Sequence, residues 1–425
     1  MEREVYPKCL LSGSQILSLV TRMLLQLNPS LGQICVQTAY ISGAIVKNLE
    51  GEQNLSLKDT LLLSLFHLVG FYHLNGEKDT KFSDFTATEI SHAYIYTYFY
   101  LKEMSPLGDV AKAFLFYDNK YDFELAKRIP QIEYASLIFT GQRIQSLLSD
   151  SNCDYSIEDF ENYGFSKYNQ RYISLFRQLD GKKDISKKIK YESYIQELDS
   201  WFNSLSFTEE ETWQLLRLMI YIIDFKSTQT VQHIVHTAAY AYSIGRLMGC
   251  SKQEADELYT AGLLHDLGKV SIPNAILEYN GTLTAFEFRV MQMHVDETEA
   301  LLKNVVCEKI LQIACRHHEK LNGTGYPNRL SEKDLTIQQR IMTVADIFSA
   351  LIDKRSYKEK MSKEQIIALY SKMAGANEID KNVPQFIDIH FKEIWQDMEN
   401  YGILLTVPLG KVEMQYQEEL LNELE

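Results

Sequence analysis

Apolar residues return every three or four positions through most of the second half of the chain, the spacing that gives a helix one buried face. Leu215, Leu216, Met219, Ile222 and Ile223 show it first. Such stretches open on capping boxes, in which a Ser or Thr caps the first turn and a Glu or Gln three residues on reaches back. Thr208 with Glu211, Ser251 with Glu254, Thr284 with Glu287, Thr336 with Gln339 and Ser362 with Gln365 all fit. The pattern predicts a helical bundle from about residue 209 onward. One later stretch, Tyr401 to Met414, is compatible with a short hairpin through Ile403 to Val407, ahead of Pro408 and Gly410.

Between residues 150 and 208 the character changes. Asp150 to Tyr155 is polar, and Asp180 to Lys190 holds Gly181 and Lys182, Lys183, Lys187, Lys188 and Lys190. A boundary is expected there, with the lysines on a solvated helix face or loop. The resulting division is a helical domain over 1–150, a connector over 151–208, a second helical domain over 209–400 and an extension over 401–425. The two domains echo one another: Leu63 to Gly70 lies over Ala261 to Gly268, which sets His67 over His265 and His92 near His294. A diverged internal duplication explains this.

Composition narrows the reading. The 425 residues include 20 Gly and 8 Pro against 26 Tyr and 20 Phe, too few turn formers for an all-β fold. A formal charge of −14 argues against a nucleic-acid polymer as partner, since such binders present a basic face to phosphates. The start, Met1 to Pro7, lacks the basic-then-apolar order of a secretory signal, and the longest apolar run, Leu61 to Leu74, is too short to span a bilayer and contains His67 and His73. A cytoplasmic protein without a membrane span is expected. Its six cysteines have no paired spacing, which suits reduced, packed thiols.

Ten histidines occur, and His233, His236, His265, His294, His317 and His318 crowd into a short part of the chain. A lone histidine is more often a core or surface residue than a ligand. These fall on separate expected helices of one bundle, beside acids or each other, as in His265-Asp266 and His317-His318-Glu319. Bundle cores are where helices bring imidazoles and carboxylates around metal pairs. An imidazole ligates one cation, whereas the adjacent Asp266 carboxylate has two oxygens and can bridge two. Imidazole-rich sets suit transition metals better than magnesium or calcium. Lys269, just past Gly268, falls where a cation can hold a substrate phosphate, although a lysine at a helix end also complements the helix dipole.

His233, His265-Asp266-Leu267-Gly268-Lys269, Ile272-Pro273, Glu287, His294, His317-His318-Glu319 through Gly325-Tyr326-Pro327, Asp346 and Arg355-Ser356-Tyr357-Lys358 together resemble an HD-GYP domain, a variant of the HD phosphohydrolase superfamily. The match runs over roughly residues 225 to 390. Alone, Gly323 to Pro327 reads as a tight turn; after His317-His318-Glu319 it carries the resemblance. The resemblance implies an all-α fold of two HD-like bundles, the first degenerate. It implies metal ligation by His233, His265, Asp266, His294, His317, His318 and Asp346, catalysis by Asp266 and Lys269, and substrate binding by Lys269, Gly325, Tyr326, Pro327, Arg355 and Lys358. The cofactor it implies is two divalent transition-metal ions, iron or manganese ahead of zinc or nickel. The expected activity is hydrolysis of cyclic di-GMP to pGpG or GMP by a hydroxide bridging the metals. A homodimer and a diguanylate cyclase-type partner domain are partners of the kind the resemblance allows.

Several positions depart from the family pattern. Gln229 stands where members with a third metal carry Glu, so two metals are expected rather than three. Asn322, Tyr279, Thr298, Ser349 and Ser356 replace a common Asp, Lys, Gly, Asp and Pro. None is an expected ligand, and His236 is read as packing near the site. In the first domain Ile34, Leu68, Phe71, Leu115-Phe116 and Gly141 stand at the approximate counterparts of the site, leaving His67 and His92 and no expected catalysis. The departures keep two other readings beside the phosphodiesterase: a weakly catalytic cyclic dinucleotide receptor or scaffold, and an HD phosphohydrolase acting on another nucleotide, cyclic GMP-AMP for example.

Overall fold

All five capping boxes form in the computed structural model, which describes residues 7–49, 55–75, 80–224, 228–279, 281–352, 361–402 and 409–424. Ser251, Thr284 and Ser362 each accept from the backbone N–H three residues on while the Glu or Gln there accepts in return, and Thr208 and Thr336 do the same. The architecture is all-α: among the described residues there is no strand, only a single antiparallel bridge between Asn322 and Ser331. No helix among them is long and apolar enough to cross a membrane.

The chain forms two compact units, Ile16–Leu218 with Pro408–Glu425, and Met1–Gln15 with Met219–Val407. This corrects the expected boundaries. Residues 151–208 are not a connector: helices Gln170–Lys183 and Tyr194–Asn203 bury Tyr172, Phe176, Leu198 and Phe202 in the first unit. The lysine run misled because it lies on the outer side of short helices whose inner positions, Ile185 and Ile189, are buried. The last helix, Leu409–Leu424, also belongs to the first unit, where Lys411 pairs with Glu103 at 2.6 Å and Tyr416 packs edge-on against Tyr96. That helix replaces the second half of the expected hairpin; Ile403 to Val407 lie outside the described residues. Conversely, residues 8–15 serve the second unit, with the Lys8 N–H on Asp256, the Leu10 N–H on Thr260 and Cys9 buried. All six cysteines are free, and burial pushes the thiols of Cys9, Cys35 and Cys315 up to about 12, which leaves them unreactive near neutral pH.

At the centre of the second unit, Thr228–Leu247 packs on Lys252–Leu264, Ile337–Ile352 and Asn382–Gly402. Its approach to Lys252–Leu264 is close: a Cβ on Gly262 would lie 2.5 Å from the Ala238 Cα. One local device recurs in both units. His67 follows helix Leu57–Phe66 with Nδ1 2.6 Å from the Ser64 carbonyl, as His265 follows Lys252–Leu264 with Nδ1 2.7 Å from the Gly262 carbonyl. Three residues on, the Gly70 N–H donates to Thr97 Oγ1 and the Gly268 N–H to Thr298 Oγ1, both at 2.9 Å. A Cβ on Gly70 would strike the Ala93 carbonyl and one on Gly268 the His294 carbonyl. The counterpart of His294 is therefore Ala93, and the pairing of His92 with His294 is corrected. Of the imidazoles, only His67 keeps its place.

Burial holds the fully enclosed His67 down at about 4, against the opposing pull of the Ser64 carbonyl. Between that value and the ordinary value near 6.5 the unfolded chain binds a proton that the folded chain does not, so stability falls as pH falls. From pH 6.5 to pH 5 the loss attributable to His67 is expected to be about 2 kcal/mol. Urea midpoints at the two pH values should converge in His67→Met relative to the parent; an unchanged pH dependence would show that the imidazole is not the group responsible.

Candidate metal centre

Five helices or helix ends deliver the site. His233 comes from Thr228–Leu247, His265 and Asp266 from the end of Lys252–Leu264, His294 from Ala285–Leu302, His317 and His318 from just past Glu308–Cys315, and Asp346 from Ile337–Ile352. Ligand atoms of His233, His265 and Asp266 lie within 4.8 Å of one another, as do those of His294, His317 and His318. Asp266 reaches both sets: Oδ2 is 3.5 Å from His233 Nε2 and 3.2 Å from His265 Nε2, while Oδ1 is 3.4 Å from His294 Nε2. Asp346 is placed similarly, with Oδ1 3.0 Å from His233 Nε2 and Oδ2 3.7 Å from His318 Nδ1. All seven side chains expected as ligands are thus brought together, and all but His318 are buried.

Their protonation follows from their outer partners. Nδ1 of His265, His294 and His317 each lies 2.6 to 2.7 Å from the carbonyl three residues back. A carbonyl only accepts, so Nδ1 carries a proton in each, and Nε2 is the nitrogen left facing inward to ligate. Ser349 does the same for His233: its hydroxyl donates to the His233 carbonyl, leaving its oxygen to accept from Nδ1 at 3.1 Å. Burial lowers the imidazoles of His233, His294 and His317 and holds His318 down at about 3, so these four are neutral near pH 7. Burial opposes ionisation of Asp266 and Asp346, but His265 and Lys269 for the first, and His233 and His265 for the second, hold both well below the usual carboxylate range. At His265, burial is outweighed by the Asp266 and Asp346 charges, which lift it to about 10. Two buried anions here demand positive charge.

That demand matches a divalent cation. His265 Nε2 is enclosed without a hydrogen-bond partner and faces carboxylate oxygens. Four neutral imidazoles and two ionised carboxylates are in the protonation state metal binding requires, and His265 joins them by exchanging its Nε2 proton for the cation. The donor set therefore fits transition-metal ions, with His233, His265 and Asp346 on one side, His294, His317 and His318 on the other, and Asp266 between. Lys269 Nζ lies 2.5 Å from Asp266 Oδ2.

The loop that follows the histidine pair is built by Glu319, which sequence reasoning passed over as a functional residue. Its buried carboxylate accepts from the N–H groups of Asn328 and Leu330 at 2.7 and 2.8 Å, closing residues 320–330 into a fixed turn. A charged residue directly after two inward histidines was the available signal. Gly325 has no room for a Cβ, which would come 2.4 Å from the Lys320 nitrogen. Tyr326 consequently rests on His318, ring centroids 4.7 Å apart. The substituted positions find work: Asn322 accepts from Thr324 and donates to the Ala376 carbonyl, and Thr298 ties Gly268 to His265. His236 packs edge-on near Tyr240, and Tyr279 is exposed. Arg355, Ser356 and Lys358 lie outside the described residues, as does the Gln229 side chain.

An all-α bundle whose core gathers histidines and aspartates from five elements defines a metal-binding helical domain of the HD class, and residues 217–383 match the HD domain family. With the Gly325-Tyr326-Pro327 loop packed on His318, this unit is an HD domain of the HD-GYP type. The chain is 34% identical to the 3′3′-cGAMP-specific phosphodiesterase 2 of Vibrio cholerae over 48% of its own length and 41% of that protein's. It is 30% identical to a cyclic di-GMP phosphodiesterase of Thermotoga maritima over 44% of its length and 52% of that protein's. The chain therefore spans about half or less of the length of these curated relatives. The crystal structure of a cyclic GMP-AMP-specific phosphodiesterase of V. cholerae shares the fold, with a TM-score of 0.56 over 89% of this chain and 97% of that one at 20% identity.

Proposed function

We propose that this chain is a metal-dependent phosphodiesterase that opens the ring of a guanine-containing cyclic dinucleotide, cyclic di-GMP or its cyclic GMP-AMP hybrid. The observation that carries the reading is Asp266, whose two oxygens address separate histidine groups. Two divalent ions, iron or manganese foremost, would be held by His233, His265, Asp346, His294, His317 and His318 with Asp266 shared, and would supply Lewis acidity for attack of water on phosphorus. Lys269 places an ammonium beside the shared carboxylate, where it can hold a phosphate oxygen as charge develops. Tyr326 covers His318 and walls the substrate side. Arg355 and Lys358 add cations expected to meet the second phosphate. The hybrid substrate is supported by the specificity of the V. cholerae relatives, and cyclic di-GMP by the T. maritima one.

Protein purified without oxygen and loaded with Fe(II) or Mn(II) is expected to convert a cyclic dinucleotide to its linear form or to mononucleotides. A chelator should abolish turnover and re-addition of metal should restore it. Tight binding of the dinucleotide with no turnover under either metal would replace the enzyme by a receptor.

A further inference from the structure

Beside the metal centre, the Gly325-Tyr326-Pro327 loop also borders a cavity of about 600 Å³. Its opposite wall is one stripe of helix Ala285–Leu302: Arg289, Gln292 and Asp296 recur at helical spacing, and Arg329 closes the rim. Arg289 and Asp296 stand two turns apart, about 10 Å along the axis. None of these four side chains forms a hydrogen bond or ion pair with another described residue. Phe288, half exposed, meets Tyr326 edge-on at 6.3 Å and extends the wall with an aromatic surface. Unpaired charges of both signs, spaced along an aromatic-edged slot on an otherwise acidic protein, make a polarity pattern rather than a general anion trap.

Guanine matches that pattern. Its N1–H and N2–H2 groups are adjacent donors that a carboxylate accepts with both oxygens, and its O6 and N7 are adjacent acceptors that a guanidinium fork meets. Adenine presents an N1 lone pair and an N6 donor instead. It would set a lone pair against Asp296 and a donor against Arg289, so it is disfavoured at both ends.

We infer that this cavity holds one guanine of the cyclic dinucleotide, with Asp296 on the N1/N2 edge, Arg289 on O6/N7, and Arg329 on the adjoining ribose-phosphate. The inference rests on the phosphodiesterase reading and makes it specific. It ranks cyclic di-GMP and the hybrid far above cyclic di-AMP. It also fixes the hybrid in one orientation, so that one of its two phosphodiester bonds meets the metal centre and one linear isomer is released first.

The test compares the parent with Asp296→Asn and Arg289→Ala on cyclic di-GMP, 3′3′-cyclic GMP-AMP and cyclic di-AMP, with metal content measured on each protein and linear isomers separated chromatographically. Asp296→Asn, whose amide offers one donor and one acceptor, is expected to raise KM for cyclic di-GMP about tenfold or more, to leave that for cyclic di-AMP equal or lower, and to release both isomers from the hybrid. Arg289→Ala should raise KM for the guanine substrates most. Equal changes on all three substrates, no change on any, or an isomer mixture from the parent would overturn the inference. Equilibrium dialysis of cyclic di-GMP separates this from failure of the enzyme reading. If the parent turns over nothing, a tenfold weaker Kd in Asp296→Asn still supports the guanine site, and an unaltered Kd removes it.

Discussion

Asp266→Asn is expected to lose activity on the order of 10³-fold or more and to retain less than half of the parent's metal. The carboxylate's two oxygens face both histidine sets, at 3.2 to 3.5 Å from three imidazole nitrogens. An amide keeps the shape, removes the charge, and offers a single oxygen. It also leaves Lys269 and His265 without the anion that balances them in a buried site, so the thermal midpoint should fall as well. Turnover, metal content by mass spectrometry and a melting curve on one preparation check all three effects. Full metal content with normal turnover would remove Asp266 from the shared position.

Lys269→Met is expected to separate chemistry from metal binding. The lysine emerges one turn past Asp266, with Nζ 2.5 Å from its Oδ2. Methionine preserves much of the apolar stem and deletes the charge. A cation that meets phosphate oxygens as negative charge develops is worth roughly 10² to 10³ in kcat by analogy with other electrostatic donors in closed sites. The variant should keep its metal and lose about that factor in kcat. A variant that loses metal in proportion to activity would make Lys269 a positioning residue for Asp266 instead.

The parts of the site legible in the sequence are those set by local rules. Capping boxes begin helices wherever Ser or Thr is followed by Glu or Gln, and they began them here at Ser251 and Thr284, which frame His265, Asp266 and His294. The His265-Asp266 and His317-His318 pairs stand out because adjacent polar residues at the ends of apolar helices need a reason to be enclosed. What escaped depends on contacts between distant residues. The register of the first unit is set by a glycine pressed on the Ala93 carbonyl, which no spacing argument from His92 detects. The lysines near 188 looked like a linker because charge density reports the outer face of a short helix and not its inner one. The cavity beside Tyr326 depends on such a contact too: Arg289 and Asp296 are exposed positions of one helix, and only the fold sets the Gly325-Tyr326-Pro327 loop opposite them.

Metal analysis of anaerobically purified protein tests the central claim most directly. Two equivalents of transition metal per chain are predicted, reduced in His233→Ala and in His294→Ala to about one, since these histidines stand on opposite sides of Asp266. A single equivalent in the parent, or none, would contradict a centre built to hold a pair.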